Sequence, residues 1–164
     1  MATASIPLTQ GYTAVVDDAD AQLVLRHKWQ VRIEQHTAYA QTTFRQAGRL
    51  RCVSMHRFIL NAGPSDLVDH ADGNGLNNTR SNLRLATQAQ NAWNRSMRSD
   101  NSSGFKGVHW NKGRSRWVAS IQRGSRKITI GYFLNAEDAA RAYDAKAKAL
   151  FGEFAHVNFL EGAS

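Results

Sequence analysis

Apolar and polar positions alternate most clearly in the second half of the chain. Over residues 116–123, Trp117, Ala119 and Ile121 share one parity, while Val118, Ser120 and Gln122 share the other. Ile128 and Ile130 then alternate with Lys127 and Thr129, and Gly124-Ser125 between the two runs is a tight-turn signal. A third strand is predicted around 106–110. The period then becomes helical. Ala139, Ala142, Tyr143, Lys146 and Leu150 form a narrow stripe lined by small side chains, which lets a helix lie close to a sheet. Asn135 is the expected cap, Glu137 and Asp138 fall in the first turn, and Gly152 is the expected stop. The pattern predicts a three-stranded antiparallel sheet carrying one helix on its apolar face, with the polar face left free.

The first half is β-rich over 31–60. Residues 29–33 alternate, 38–44 are strand formers, and 50–55 follow a Gln46-Ala47-Gly48-Arg49 turn, so 38–55 is a hairpin candidate. A short helix is predicted within 18–28, capped by Asp18 or Asp20. Further on, Val68-Asp69-His70 should end a strand and Leu83-Arg84-Leu85 should return as its partner. Thr87 with Gln90 three residues later has the form of a capping box. The polar stretch after Arg95 shows no apolar period and reads as a linker. These elements predict an α+β chain of two modules, residues 1–95 and 105–160, joined by a linker over 96–104.

Charge sharpens the division. The 164 residues carry a formal net charge of +8. Residues 96–134 hold 8 basic side chains against the single acid Asp100, whereas 135–164 hold 3 basic and 5 acidic ones. A block this basic, interleaved with Phe105, Trp110 and Trp117, suits a polyanion with bases to touch. No apolar run approaches bilayer length, and the opening residues lack the basic and apolar regions of a secretory leader. One cysteine, Cys52, excludes an internal disulfide and a four-cysteine zinc site; it is expected as a small buried apolar residue. A cytoplasmic setting is expected.

Residues 67–91 are dense in Asp, Asn and His. Phosphodiester hydrolysis needs a base to deprotonate water and a cation to relieve the leaving oxygen. His70 can take the proton. Asp69 offers a carboxylate and Asn91 a carbonyl oxygen, hard donors of the kind Mg²⁺ takes while keeping much of its water. Asn82 could hold the loop or fix the orientation of His70. Asp69 and His70 are adjacent, so a strand must bend or end there for both to serve one site. Asp72-Gly73 and Asn77-Asn78 are also ordinary turn chemistry.

The segment running from His56-Arg57 through Val68-Asp69-His70, Asp72-Gly73, Asn77-Asn78, Ser81-Asn82-Leu83-Arg84 and Thr87 to Asn91 resembles the HNH endonuclease motif. The likeness is to the phage and intron homing branch, in which the last letter is Asn. Leu8-Thr9-Gln10-Gly11, Trp29 and Tyr39-Ala40 widen the likeness. The resemblance implies a ββα-metal site with His70 as general base, Asp69 and Asn91 as metal ligands and Asn82 as the loop-orienting residue. It implies Mg²⁺ or Mn²⁺ and no structural zinc. His56 and Arg57 could contact phosphate or support the ββα core.

The stretches 104–108, 116–121, 130–133, 136–144 and 152–159 are similar to the Apetala-two / ethylene-response-factor DNA-binding domain. That family implies the same sheet-plus-helix fold, reading the major groove of double-stranded DNA through its sheet. Lys106, His109, Trp117, Ser120, Gln122, Lys127 and Thr129 match its reading positions. Base preference is not carried over, because the plant family's arginines and its strand-two Glu are here Lys106, His109, Asn111, Ser120 and Gln122. Trp117 shares parity with Ala119 and Ile121 and is expected in the core. Arg114, Arg116 and Arg126 are expected on phosphates, where they anchor without specifying sequence. The whole reads as a site-directed DNA endonuclease, a monomer or weak dimer that nicks one strand per copy. The alternative is a DNA-binding regulator with a non-catalytic HNH fold.

Overall fold

The computed structural model describes residues 2–35, 37–94, 97 and 101–159. The linker expected over 96–104 therefore falls in part outside the described residues. The chain divides into two compact units, Met1–Thr87 and Gln88–Ser164, and its architecture is α+β.

The first unit opens with an antiparallel hairpin, β1 (Thr3–Pro7) and β2 (Thr13–Asp17). Helix α1 (Asp18–Val24) follows. Its N-cap is Asp17, and neither Asp18 nor Asp20 caps it as expected, because both lie inside the first turn. Asp17 and Asp20 instead receive Arg80: Asp17 Oδ2 accepts its backbone N–H, and Asp20 takes its guanidinium through two 2.8 Å hydrogen bonds. Strands β3 (Gln30–Ile33), β4 (Ala38–Gln46) and β5 (Arg49–Ser54) form an antiparallel sheet in that order. The β4–β5 register sets Cys52 opposite Thr43 on an outer position, so Cys52 is exposed and not buried as expected. A short helix α2 (Met55–Ile59) leads to β6 (Leu67–His70), which pairs antiparallel with β7 (Leu83–Ala86).

One apolar cluster holds this unit together. Ile6, Ala14 and Val16 from the first hairpin meet Val24, Trp29, Ala40, Met55, Ile59 and Leu83. Trp29 buries its ring and satisfies its indole N–H on Val24 O at 2.8 Å, which removes the desolvation cost of that donor.

The second unit begins with α3 (Gln88–Trp93). Strands β8 (Val108–Asn111), β9 (Arg116–Arg123) and β10 (Arg126–Phe133) form an antiparallel sheet with β9 central. Helix α4 (Ala136–Phe151) lies on one face. Asn135 caps it by accepting the Asp138 N–H at 2.8 Å, and Gly152 ends it at φ 54, a conformation that costs a residue with a side chain far more than glycine. Val108, Ala119 and Ile121 pack on Ala139, Ala140, Tyr143, Ala147 and Phe151. Trp117 joins them from the edge of that cluster, as its parity predicts. Between Thr129 and Gly131 the register slips by one residue, a β-bulge at Ile130. Beyond α4, Asp144 fixes the closing segment: its carboxylate accepts the backbone N–H groups of Asn158 and Phe159 and the Asn158 side chain at 2.8–2.9 Å. Asn158 in turn exchanges hydrogen bonds with the backbone of Lys106. No helix among the described residues is long and apolar enough to cross a membrane.

Candidate active site and nucleic-acid interface

The loop between β6 and β7 is tied at both ends. Asn82 sits at its close, buried, with every polar group of its side chain engaged. Its Nδ2 donates to Asp72 Oδ1 at 2.9 Å and to Asn77 O at 2.8 Å, and its Oδ1 accepts the Asp72 N–H at 3.0 Å. Asp72 also accepts from Asn74 N and from Asn77 Nδ2 at 2.8 Å. This network holds residues 72–82 as a closed turn. The turn is also stitched to the first hairpin: Val15 N donates to Leu76 O at 2.8 Å and Asn78 N to Val15 O at 2.7 Å.

His70 is the last residue of β6 and is only 5% exposed. Its ring lies 4.9 Å from that of His56, edge to face at 86°, and 5.8 Å from Tyr39. Burial pulls the His70 imidazole below its ordinary pKa of 6.5; a hydrogen bond with the Asn78 side chain and the carboxylates of Asp72 and Asp69 pull the other way. Burial takes His56 further, down to about 3, with the neighbouring His70 and Arg57 adding to the fall. Two neutral imidazoles therefore stand side by side at neutral pH.

Asp69 precedes His70 on the same strand, and consecutive strand residues leave opposite faces. It is 6% exposed and pairs across the ribbon with Arg84, whose Nη2 and Nε stand 2.7 and 2.9 Å from Asp69 Oδ2. Asn91 lies half-buried on α3, in the second unit. An aspartate oxygen and an amide oxygen are hard donors, which fit Mg²⁺ or Mn²⁺ and not a soft ion. Among the described residues no three His, Cys, Asp or Glu side chains converge to hold an ion by themselves. Such an ion would complete its shell with water and phosphate oxygens.

His56 and Arg57 occupy α2. His56 Nδ1 is buried and finds no hydrogen-bond partner among the described residues. Arg57 turns inward: its guanidinium donates to the carbonyls of Gly63 and Asp66 and so closes the loop between α2 and β6. Sequence reasoning met Tyr39 and Asn78 only as parts of a likeness, without a role, and did not single out Arg80. Their roles come from contacts between elements far apart in the chain, which no local pattern carries.

In the second unit the free face of the sheet presents His109, Arg116, Gln122, Lys127, Thr129 and Tyr132. A groove of about 720 Å³ gathers Lys106, His109, Ser120, Gln122 and Lys127 with Met97. Ser120 is only 9% exposed. Lys106 is directed elsewhere: its ammonium donates to Trp93 O at 2.8 Å, at the end of α3, and burial lowers its pKa to about 8. Lys127 beside His109 adds to the burial that lowers the latter's pKa. Arg114, Arg116 and Arg126 are all exposed. Arg114 lies over the Tyr132 ring, 4.7 Å from its centroid, which pre-orders a guanidinium at the rim of the free face.

Residues 62–93 match the family described as HNH endonuclease. Over 115 residues the chain is 40% identical to an uncharacterized HNH endonuclease of Acanthamoeba polyphaga mimivirus, covering 66% of this chain and 59% of the relative. It is 44% identical over 54 residues to Protein 3.8 of Escherichia phage T7, covering 33% and 45% respectively. It is also 46% identical over 61 residues to dehydration-responsive element-binding protein 2A of Arabidopsis thaliana, covering 34% of this chain and 17% of that one. The chain thus spans less than two thirds of each of these curated relatives. No solved structure gives a significant match. The matched residues 62–93 contain β6, the Asn82-tied loop, β7 and α3, so this chain carries a segment similar to HNH endonucleases, together with a portion similar to plant factors of the Apetala-two / ethylene-response type.

Proposed function

We propose that this protein is a site-directed endonuclease for double-stranded DNA, in which the first module, expected over 1–95, cuts and the second, over 105–160, selects the site. The observation that most supports this reading is the buried His70 at the rim of a loop locked by Asn82, inside the segment similar to HNH endonucleases. His70 takes the proton of the attacking water. Asn82 keeps residues 72–82 closed and so fixes the backbone from which His70 leaves β6. Asp69 would be the carboxylate ligand of one Mg²⁺ or Mn²⁺. The ion, when bound, stabilises the charge on the leaving oxygen. Asp69 must give up part of its hold on Arg84 to do so, which frees a guanidinium to neutralise a phosphate.

The free sheet face supports targeting. His109, Gln122, Lys127 and Thr129 would meet base edges, whereas Ser120, expected among them, is buried; Arg114 and Arg116 would meet phosphates, and Arg126, which shares the helix-side parity of Ile128, would do so only from the end of β10. Tethering a weak cutter to a sequence reader raises the local concentration of the target at the catalyst. One catalytic centre per chain acts on one strand, so a monomer nicks.

The test is conversion of supercoiled plasmid to open circles by the wild type and by His70→Ala, with Mg²⁺ or Mn²⁺ and with EDTA. Metal-dependent nicking abolished in His70→Ala is expected. Breakage of both strands at equal rates by dilute protein would remove the one-strand reading. A second reading, a DNA-binding regulator with a non-cutting HNH fold, has one observation in its favour: the carboxylate assigned to the metal is engaged by Arg84. Retarded but uncut DNA with either metal would select it.

A further inference from the structure

Three rings from three separate elements converge beside the β6–β7 loop. Tyr39 comes from β4, His56 from α2 and His70 from β6. Each touches the other two: the centroid separations are 5.7 Å for Tyr39–His56, 5.8 Å for Tyr39–His70 and 4.9 Å for His56–His70. The geometry between the two imidazoles is edge to face, the arrangement in which a ring's positive edge meets its neighbour's negative face. The outer side of Tyr39 is closed as well. A methyl group built on Gly75 would stand 2.5 Å from Tyr39 Cδ1 and 2.6 Å from its Cε1, so the loop backbone lies directly against the phenol ring. Gly75 is held there by its N–H, which donates to Thr37 Oγ1 at 3.0 Å. The stack therefore runs from the loop through Tyr39 to both histidines.

We propose that His56, braced by Tyr39, is a positioning residue that fixes the plane of the His70 ring and with it the direction in which the base nitrogen points. A strand-end histidine has two free side-chain torsions, and a general base must be aligned with its proton to within tens of degrees. His56 supplies a wall where a smaller side chain would leave room for the ring to turn. The contact is one of ring against ring. His56 Nδ1 has no hydrogen-bond partner among the described residues, and the side chain is half-buried, so it acts by shape and not as a hand on phosphate. This inference rests on the nuclease reading for its catalytic consequence and on the packing alone for its structural one.

Two measurements keep those parts apart. The first is steady-state nicking of plasmid DNA by wild type, His56→Ala and His56→Phe. His56→Ala is expected to lower kcat at least tenfold with KM little changed, and His56→Phe, which restores a ring, to recover most of the loss. A raised KM with intact kcat, without rescue by Phe, would make His56 a phosphate contact and overturn the proposal. The second uses metal-free protein and follows the carbon-bound proton of the His70 ring by NMR, assigned through its loss in His70→Ala. One sharp resonance is expected in wild type and His56→Phe, and a broadened or doubled one in folded His56→Ala. An unchanged resonance in His56→Ala overturns the brace. If the wild type never nicks DNA, the nuclease reading falls while the resonance still decides the packing claim.

Discussion

Asp69 and Arg84 face each other across the β6–β7 ribbon, and Arg84 Nη2 stands 2.7 Å from Asp69 Oδ2 with both heads largely withdrawn from water. Removing one partner of such a pair leaves an uncompensated charge, at a cost of about 3–5 kcal/mol. Arg84→Gln is therefore expected to lower the unfolding free energy of the protein by about 3 kcal/mol, and the double change Asp69→Asn with Arg84→Gln to recover most of it. Urea denaturation of the four proteins in a mutant cycle measures the coupling; additive effects would show that the pair contributes nothing.

The two buried imidazoles set an acid limit. His56 is held down to about 3 by burial, and His70 moves in the same direction. Below the ordinary histidine value near 6.5 the unfolded chain binds protons that the folded one refuses, so stability is full above that pH and falls as the pH drops towards 3. The difference in Tm between wild type and His56→Phe should narrow or reverse between pH 7 and pH 4, about one histidine's worth of titration. A constant difference across that range would mean that His56 titrates normally.

Gly75 has no room to grow. Beyond the Tyr39 ring, an added methyl would sit 2.4 Å from Ala38 O, which is backbone and cannot step aside. Gly75→Ala should cost about 1–3 kcal/mol in stability by overpacking and should slow nicking as Tyr39 is driven into the histidines. Thermal melts and plasmid assays on one preparation read both. Unchanged melting would place the loop elsewhere than against Tyr39.

On the proposed reading, the second unit offers two kinds of DNA contact. Alanine at Arg114, Arg116 or Arg126 should weaken binding to all sequences alike and reduce the slope of log affinity against log salt by about 1 each. Alanine at Gln122 or Lys127 should instead change which sequences are bound, by about 1–3 kcal/mol at the affected base pair. Binding to a randomised duplex library at two salt concentrations distinguishes them. A salt-independent affinity would turn the face towards a protein partner.

Lys106 behaves as a structural cation. Its ammonium sits on Trp93 O, and burial lowers its pKa to about 8 from an ordinary 10.5. The unfolded chain holds that proton more tightly over this window, so stability should rise relative to Lys106→Met as the pH climbs from 8 to 10. Lys106→Ala should also weaken DNA binding less than Lys127→Ala, as competition titrations would show.

The second unit was largely legible before the structure because its signals are local. Asn135, the acidic pair after it and Gly152 bracket α4, and the parity of Trp117, Ala119 and Ile121 names the buried face of β9. The first unit was less so. Helix α2 spans five residues at the end of a strand-like apolar run, where neither period can be told from the other. The hairpin β1–β2 is short and built of small residues, yet it anchors the loop through Val15. The turn residues 72–82 could be read as polar and Asn-rich, but not which amide meets which carbonyl. The cluster of Tyr39, His56 and His70 joins residues up to 31 positions apart and leaves no periodic trace.

The bulge at Ile130 acts as a phase change along β10. Before it, Lys127 and Thr129 belong to the open face and Ile128 to the helix side. After it, Gly131 inherits the helix side, opposite Ala119, and Tyr132 and Phe133 follow with inverted parity. A strict two-residue rhythm carried on from Ile128 would have sent Tyr132 into the core and Phe133 out to solvent. One supernumerary residue thus delivers the aromatic seat on which Arg114 rests and keeps a phenyl ring under the sheet. Shortening the strand by that residue would turn its last stretch inside out while leaving the composition of the chain almost untouched.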